Sequence, residues 1–288
     1  MSGTKIRELL DTGEIVLMPN AWDGLSARLA EEAGFRGVFA AGSVISASMG
    51  YPDMELYGKA DMLSRIRDMR LAVDISIMAD LDTGWGGVLQ CARAVREFEN
   101  AGSAAAFIED QVSPKRCPKL DSGGTLPLVD IEEAKGKVRA AVEARESMLI
   151  VARTDAAGDE IYRRGEAYAE AGADMIFPTT LDPSFGPDQW AELHRRVGIP
   201  LMGHGTVGHW MQSHVVRDPA SLYEAGVRIA IVPLHGLFAA ITAIRGCYAR
   251  VAAGEDLADL AEEYLDYGEF SDLLGYPALS DAEHRYLA

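Results

Sequence analysis

The fold is decided by a short phrase that the chain repeats four times: Glu32-Ala33-Gly34, Asn100-Ala101-Gly102, Glu170-Ala171-Gly172 and Glu224-Ala225-Gly226. Each phrase ends a helical stretch with glycine, the residue that most readily takes the left-handed conformation at a helix C-terminus. An apolar run typical of a strand follows each phrase within a few residues. Successive phrases are separated by about two βα units. Strands two, four, six and eight are therefore predicted to follow the same turn.

Apolar runs alternate with helical stretches along the whole chain. Their continuous hydrophobicity is typical of strands buried on both faces of a parallel sheet. Residues 25–33 and 88–101 have helical spacing of apolar positions, and Asp130 is placed to cap a helix at 131–144. The pattern predicts an α/β protein with a closed (β/α)8 barrel of the TIM type. A doubly wound open sheet is the alternative, but no G-x-G-x-x-G follows the first strand. The predicted strands are residues 15–19, 37–41, 76–81, 104–109, 148–153, 174–178, 200–203 and 228–233.

Two regions are predicted from this alternation. Residues 1–250 form the barrel domain, and residues 251–288 form a C-terminal helical arm. The arm carries one apolar stripe, and two placements stay open for it: packing on its own barrel or packing on a neighbouring subunit. The stripe consists of Leu257, Leu260, Ala261, Tyr264 and Leu265.

Composition excludes several classes of partner. The chain has 27 basic and 44 acidic residues, for a formal charge of −17, which opposes binding to nucleic acid or an anionic membrane. No apolar run approaches the ~18 residues of a membrane span, and the first residues lack the core of a secretion signal. The three cysteines have no C-x-x-C spacing, so neither a disulfide framework nor a zinc site is expected. We therefore expect a cytoplasmic protein without nucleic-acid or membrane partners.

Acidic residues are concentrated after the third and fourth predicted strands. In a barrel of this kind the carboxyl ends of the strands meet at one mouth, where chemistry takes place. Asp80 and Asp82 share a face of their strand, and Glu109 ends the next one. Oxygen ligands without histidine or cysteine favour Mg2+ or Mn2+ over zinc. The alternative is a solvated acidic turn, and we favour the metal site.

Arg153 ends the fifth predicted strand. A guanidinium at that position can hold a substrate carboxylate through two parallel hydrogen bonds. A salt bridge to Asp155 or Glu109 is the alternative, and the residues alone do not decide between them.

Cys117 lies in a segment rich in proline and glycine, residues 113–124, which is typical of an active-site lid. The neighbouring cations Lys115, Arg116 and Lys119 are expected to favour the thiolate. Cys91 and Cys247 lie on predicted amphipathic helices and are expected to be core residues.

Several motifs carry a family resemblance when they are taken together. They are Ala41-Gly42-Ser43 with residues 46–53, then residues 78–86, 108–111, 114–117 and 152–156. In that order, over roughly residues 5–250, they resemble the isocitrate lyase/phosphoenolpyruvate mutase superfamily, as a divergent, methylisocitrate lyase-like member. The resemblance implies a (β/α)8 barrel that forms a homotetramer, a dimer of dimers in which paired subunits exchange the eighth helix. It also implies Mg2+ and a 2-oxo acid or its enolate as ligands.

The resemblance also assigns roles to individual residues. It implies that Asp82 contacts the metal, that Asp80 and Glu109 hold it directly or through water, and that Asp53 acts through water. The lid residue Cys117 is the implied general acid, and Lys115, Arg153 and His204 complete the candidate catalytic set. The candidate substrate-binding residues are Ala41, Gly42, Ser43, Arg153 and Thr179.

The chain departs from the family pattern at several positions. Lyases continue the lid as Cys-Gly-His, whereas this chain reads Cys117-Pro118-Lys119. Phe39 and Ala41 stand where the family has a tyrosine and a serine. Thr179 and His204 replace the Glu and Asn of isocitrate-type lyases, so neither isocitrate nor methylisocitrate is the expected substrate. His204 can serve as acid, base or neutral donor; the alternative is a loop histidine bound to its own backbone. The cluster at residues 203–210 has no family assignment.

These observations predict a Mg2+-dependent carbon–carbon lyase that cleaves a small malate-like or alkylmalate-like 2-hydroxy acid through an enolate. Mutases of the phosphoenolpyruvate type carry asparagine at the lid position, so Cys117 favours a lyase. One alternative is a phosphonomutase or an oxaloacetate-type decarboxylase that uses the same enolate site. The other is a noncatalytic protein that binds an oxo acid.

Overall fold

The computed structural model describes residues 2–117, 126–179, 185–204 and 219–287. The chain divides into two compact units, Met1–Gly236 and Leu237–Ala288. The division that the sequence predicts after residue 250 falls near the end of a helix, His235–Ala252.

Eight parallel strands of the first unit form one sheet in the order β1-β8-β7-β6-β5-β4-β3-β2. A parallel bridge between Asn20 and Phe39 brings β1 next to β2, and the sheet is therefore a nearly closed TIM-type barrel. Each strand begins and ends within one residue of its prediction. The strands are β1 Val16–Pro19, β2 Gly37–Ala40, β3 Ser76–Asp80, β4 Ala105–Glu109, β5 Leu149–Thr154, β6 Met175–Pro178, β7 Leu201–His204 and β8 Val227–Val232.

Helices lie between the strands. The predicted helices 88–101 and 131–144 have those bounds in the structure, and the Asp130 side chain caps the second by accepting a hydrogen bond from the Glu132 N–H, 2.9 Å away. A short helix, α3, was not predicted. The helices of the first unit are α1 Ser2–Leu10, α2 Gly24–Glu32, α3 Gly42–Ser48, α4 Lys59–Ala72, α5 Val88–Ala101, α6 Ile131–Ala144, α7 Glu160–Glu170, α8 Pro187–Val197 and α9 Pro219–Glu224.

The four repeated glycines have the left-handed backbone that the sequence predicts. Their φ angles are +88° at Gly34, +105° at Gly102, +95° at Gly172 and +94° at Gly226. Two of them also have no room for a side chain. A Cβ would lie 2.6 Å from Arg70 Cγ at Gly102 and 2.2 Å from His194 Cγ at Gly226. These turns return the chain to the amino-terminal end of the barrel before each even-numbered strand.

An aromatic layer fills the barrel below its carboxyl-terminal mouth. Phe39, Phe107 and Phe177 come from β2, β4 and β6, and their ring centroids are 5.2 and 5.4 Å apart in succession. Ile231 of β8 and the three phenylalanines line one cavity at this level of the barrel. Side chains from alternate strands form such layers in (β/α)8 barrels. The polar residues at the carboxyl ends of the strands lie above this layer and line the same cavity.

The second unit is helical. It consists of most of α10, His235–Ala252, followed by α11 Leu257–Ala261, α12 Tyr267–Leu273 and α13 Tyr276–Leu287. The predicted stripe does not occupy one helix, because α11 ends at Ala261 and Tyr264 and Leu265 lie beyond it. Among the helices that the structure describes, none is both long and apolar enough to cross a bilayer.

Candidate active site

A cavity opens at the carboxyl ends of the barrel strands. Most of the residues that the sequence predicts for the site line it: Ala41, Ser43, Asp53, Asp80, Lys115, Cys117, Arg153, Thr179 and His204. The other three, Gly42, Asp82 and Glu109, are bonded to members of this set. The predicted residues are thus brought together at one mouth of the barrel.

Asp80 and Asp82 form a buried pair at the end of β3. Asp80 accepts the Asp82 N–H at Oδ1, 3.0 Å, and the Gly42 N–H at Oδ2, 2.9 Å. Asp82 has a left-handed backbone, φ +46°, and its side chain also accepts the hydroxyl of Tyr57. A Cβ on Gly42 would lie 2.5 Å from the Tyr57 hydroxyl oxygen, so only glycine fits there. The N–H of Gly42, a predicted substrate contact, is engaged by Asp80.

Lys115 is the counter-ion of the acidic cluster, the group of carboxylates formed by Asp53, Asp80, Asp82, Glu109 and Asp155. Its Nζ lies 2.6 Å from Asp82 Oδ1 and 3.2 Å from Asp53 Oδ1, and its side chain is only 3% exposed. Burial alone would lower the lysine pKa, but the surrounding carboxylates outweigh it and raise the pKa well above its usual value. Burial raises the pKa of Asp82 to about 7, while the charge of Lys115 opposes that rise.

Arg153 of β5 lies between two carboxylates. Its Nη1 is 2.8 Å from Glu109 Oε2, and its Nε and Nη2 donate to the two carboxylate oxygens of Asp155 at 2.9 and 2.8 Å. Both salt bridges that the sequence left open are therefore present. A guanidinium has five N–H groups, and two of those on Arg153, one on Nε and one on Nη2, donate to Asp155. Arg153 also lines the cavity, where its other N–H groups can meet a ligand.

The residues present fit a hydrated divalent cation. Among the residues that the structure describes, five carboxylates of the cluster face only two cations, Lys115 and Arg153. Within the described ranges, Glu109 Oε1 is buried without a hydrogen-bond partner. In the same ranges no three His, Cys, Asp or Glu side chains converge as a ready-made metal site. Mg2+ prefers oxygen ligands and keeps several waters, so a site with few direct protein ligands suits it. The carboxylates are Asp53, Asp80, Asp82, Glu109 and Asp155.

Thr179 and His204 lie on the far wall of the cavity. Thr179 follows β6 and is 7% exposed, and the ring of His204 at the end of β7 is 4.9 Å from that of Phe177. The roles predicted for both residues stay predictions. The lid sequence after Cys117 and the cluster at 205–210 lie outside the described residues.

The sequence did not single out three residues that hold the site together. Tyr57 and Glu55 lie after α3 in a stretch without a hydrophobic period, where no motif marks them. Tyr57 donates to Asp82, and Glu55 contacts the segment that carries Cys117. The sequence names Asp155 only as a salt-bridge alternative to substrate binding by Arg153. In the structure its two carboxylate oxygens accept hydrogen bonds from the guanidinium and fix its orientation. The only available signal for Tyr57 and Glu55 is their alternation with Asp53.

The remaining two cysteines, Cys91 and Cys247, differ in burial. Cys91 is fully buried on α5, and the prediction of a core position is confirmed. The same prediction is wrong for Cys247, which is only partly buried on α10.

Comparisons with known proteins agree with this geometry. A family model described as phosphoenolpyruvate phosphomutase matches residues 6–252. The 2-methylisocitrate lyase of Bacillus subtilis is 40% identical over 70% of this chain, and the alignment spans just under two thirds, 66%, of that protein. The 2,3-dimethylmalate lyase of Eubacterium barkeri is 33% identical over 99% of this chain and 98% of its own length. A solved phosphonopyruvate hydrolase, in complex with oxalate and Mg2+, has a TM-score of 0.87 at 31% identity and full coverage of both chains.

Proposed function

Because this chain belongs to the phosphoenolpyruvate phosphomutase family, within the isocitrate lyase/PEP mutase superfamily, we propose that it is a Mg2+-dependent carbon–carbon lyase. Its substrate is a small malate-like or alkylmalate-like 2-hydroxy acid, and its products are a 2-oxo acid and a carboxylate. One observation carries the proposal: the thiol-bearing Cys117, the cation Arg153 and the acid Asp80 line the same cavity. An acid, a carboxylate receptor and a metal-binding group therefore face one substrate.

Arg153 is the receptor for the substrate carboxylate. Asp155 fixes its guanidinium plane through two hydrogen bonds, Glu109 pairs with it as an ion, and N–H groups that do not bond Asp155 donate to the ligand. Ser43, with Ala41 beside it, holds the other end of the substrate from the start of α3. Thr179 contributes a hydroxyl from the opposite wall.

The acidic cluster is the place for the divalent ion, Mg2+ or, as an alternative, Mn2+. Asp82 would hold the ion directly, and Asp80, Glu109 and Asp53 would hold it directly or through water. The two-to-five ratio of cations to carboxylates in the cluster supports this assignment. When bound, Mg2+ stabilises the negative charge of the C2 oxygen and of the enolate as a Lewis acid.

The proton steps belong to side chains on the cavity wall. His204 takes the proton of the C2 hydroxyl, and the C2–O bond becomes a carbonyl as the C2–C3 bond breaks. The electron pair of that bond moves onto the leaving fragment as an enolate. Cys117 then donates its thiol proton to the enolate carbon, which completes the carboxylate product. Lys115, two residues before Cys117, offsets part of the negative charge of the acidic cluster through its contacts with Asp82 and Asp53.

The substitution Cys117→Ser tests the proton donor. We expect it to lower turnover by on the order of 100-fold or more, as loss of a general acid does, and to leave oxalate binding nearly unchanged. The substrates are malate, citramalate, alkylmalates and oxaloacetate with Mg2+, and the products are identified by mass. Cys247→Ser is the matched control and keeps full activity. Unchanged turnover in the Cys117 variant would exclude the thiol as the acid.

A second candidate uses the same site on a phosphonate. The full-length likeness to phosphonopyruvate hydrolase supports it, because oxo acid and phosphonate substrates share the carboxylate that Arg153 would hold. Phosphorus NMR with phosphonopyruvate tests it: a new phosphorus signal supports the phosphonate reaction, and an unchanged spectrum excludes it.

The assembly we propose is a homotetramer in the cytoplasm, a dimer of dimers with the C-terminal helices exchanged between paired subunits. The large apolar side chains that the C-terminal unit exposes support this, among them Ile244, Tyr248 and Leu257. Such surface is more than a monomer commonly leaves in water.

A further inference from the structure

A strap formed by residues 53–57 crosses the mouth of the barrel between α3 and α4. Its alternate residues reach toward the site. Asp53 pairs with the ammonium of Lys115, 3.2 Å away, and Tyr57 donates its hydroxyl to Asp82. Between them lies Glu55, which is not among the residues that line the substrate cavity.

Glu55 is bonded to two other segments. Its Oε1 accepts the hydroxyl of Thr83, which follows β3, at 3.0 Å. Its Oε2 accepts the hydroxyl of Ser113 at 2.7 Å and the backbone N–H of Lys115 at 2.9 Å, and both of these residues follow β4. One side chain thus joins three loops of the mouth through three hydrogen bonds.

The backbone of Glu55 is held in an unfavourable conformation. Its φ is +53°, in the left-handed region where a Cβ is close to the next carbonyl oxygen. Residues other than glycine keep such a conformation only when their surroundings fix it, and they cluster at functional sites. The three hydrogen bonds of the side chain are the interactions that fix it here.

We propose that Glu55 is a positioning residue that anchors the Cys117 segment, defined as residues 113–117, at the mouth of the barrel. The anchor acts on the backbone of Lys115. From there the Lys115 side chain reaches Asp82 at 2.6 Å, and Cys117, two residues further on, lines the cavity. Without the anchor, the thiol is no longer held against the substrate. The role in turnover rests on the proposed lyase function, whereas the effect on the thiol does not.

Glu99 provides a matched control. It too is a carboxylate that holds a loop: it accepts the backbone N–H groups of Glu146, Ser147 and Met148 at 2.6 to 2.8 Å. These residues precede β5 and lie at the end of the barrel opposite the site. Glu99→Ala therefore removes a loop-holding carboxylate without touching the Cys117 segment.

The first test measures the rate at which iodoacetamide alkylates Cys117 in the full-length protein, with peptide mass spectrometry to resolve each cysteine. We expect Glu55→Ala to react several-fold faster than the unmodified protein, and Glu99→Ala to react at the unmodified rate. Glu55→Gln keeps the shape of the side chain but offers one acceptor oxygen, so we expect its alkylation rate to lie between those of Glu55→Ala and the unmodified protein. This variant replaces Glu55→Ala in the test if the alanine variant does not fold. Equal rates in all the proteins would overturn the anchor.

The second test measures turnover and separates the two proposals. In Glu55→Ala we expect kcat to fall on the order of 10- to 100-fold, as misplacement of a reacting group by about 1 Å does, with little change in KM or in oxalate binding. An unchanged kcat would overturn the positioning role. If the unmodified protein turns over none of the acids, the lyase proposal fails, and the alkylation rates still decide the role of Glu55.

Discussion

Two cations, Lys115 and Arg153, set the charge of the candidate site, and each is shared by two carboxylates. The sequence predicted that acidic residues and an arginine would meet at the strand ends, because strand position follows from the apolar runs. It could not predict which charges would pair. Pairing depends on side-chain rotamers and on the strap residues Glu55 and Tyr57, which no motif marks. Lys115 contacts Asp82 and Asp53, and its predicted effect on the thiol stays a prediction.

The substitution Arg153→Lys tests whether the fixed guanidinium matters or only its charge. Lysine keeps the charge but lacks the planar fork that contacts Asp155 twice. Since charge-assisted hydrogen bonds are worth roughly 1.5–3 kcal/mol, we expect kcat/KM to fall on the order of 10- to 100-fold in steady-state kinetics. Arg93→Lys, at an exposed helical ion pair with Glu97, is the control and is expected to leave kcat/KM unchanged. A fully active Arg153→Lys protein would show that charge alone suffices.

Cys91 gives a prediction about pH. Burial raises the pKa of its thiol from 9.0 to about 11, so the folded protein holds the proton more tightly than the unfolded chain. The stability gained from the neutral thiol is present below about pH 9 and is lost as the pH rises toward 11. At pH 8 we expect iodoacetamide to leave Cys91 unmodified in the folded protein and to modify it in urea. Equal labelling in both states would contradict this burial.

At the scale of elements, the strands were predictable to within one residue, because strands of a buried parallel sheet are continuous apolar runs between amphipathic helices. The helix α3, Gly42–Ser48, and the strap at 53–57 were not predicted. Neither has a hydrophobic period, and tertiary hydrogen bonds such as those of Glu55 hold the strap. The predicted C-terminal stripe extends beyond one helix, because α11 ends at Ala261. Periodicity therefore locates the barrel and misses the connections that complete its mouth.

The repeated glycines allow two contributions to the free energy of unfolding to be separated, the strain of the left-handed backbone and the steric clash of an added Cβ. Gly34 has φ +88° and no atom within 4 Å of a built Cβ, whereas at Gly226 a Cβ would lie 2.2 Å from His194 Cγ. We expect Gly34→Ala to cost about 1 kcal/mol, from backbone strain alone. Gly226→Ala should cost about 2–4 kcal/mol, since a clash is added to the strain. Urea unfolding measures both, and equal losses would show that packing at Gly226 is not limiting.

At the scale of the whole molecule, the C-terminal unit predicts association. Ile244 is 51% and Tyr248 is 70% exposed on α10, where a charged side chain would oppose burial against another subunit. We expect the unmodified 31.1 kDa chain to run as a tetramer in light scattering and Ile244→Glu to shift it to smaller species. Lys135→Glu, on α6 of the barrel unit, is the charge-changing control. A monomeric unmodified protein would contradict the proposed assembly.

The central claim is that the acidic cluster, Arg153 and Cys117 together cleave a carbon–carbon bond with the help of Mg2+. The most direct measurement incubates metal-stripped protein with the malate-like acids, with Mg2+ and with excess chelator, and follows both fragments by mass. We predict that a 2-oxo acid and a carboxylate appear in equal amounts when Mg2+ is present, and that neither forms in chelator. Cleavage that continues in excess chelator, or intact acids in the presence of Mg2+, would contradict the account.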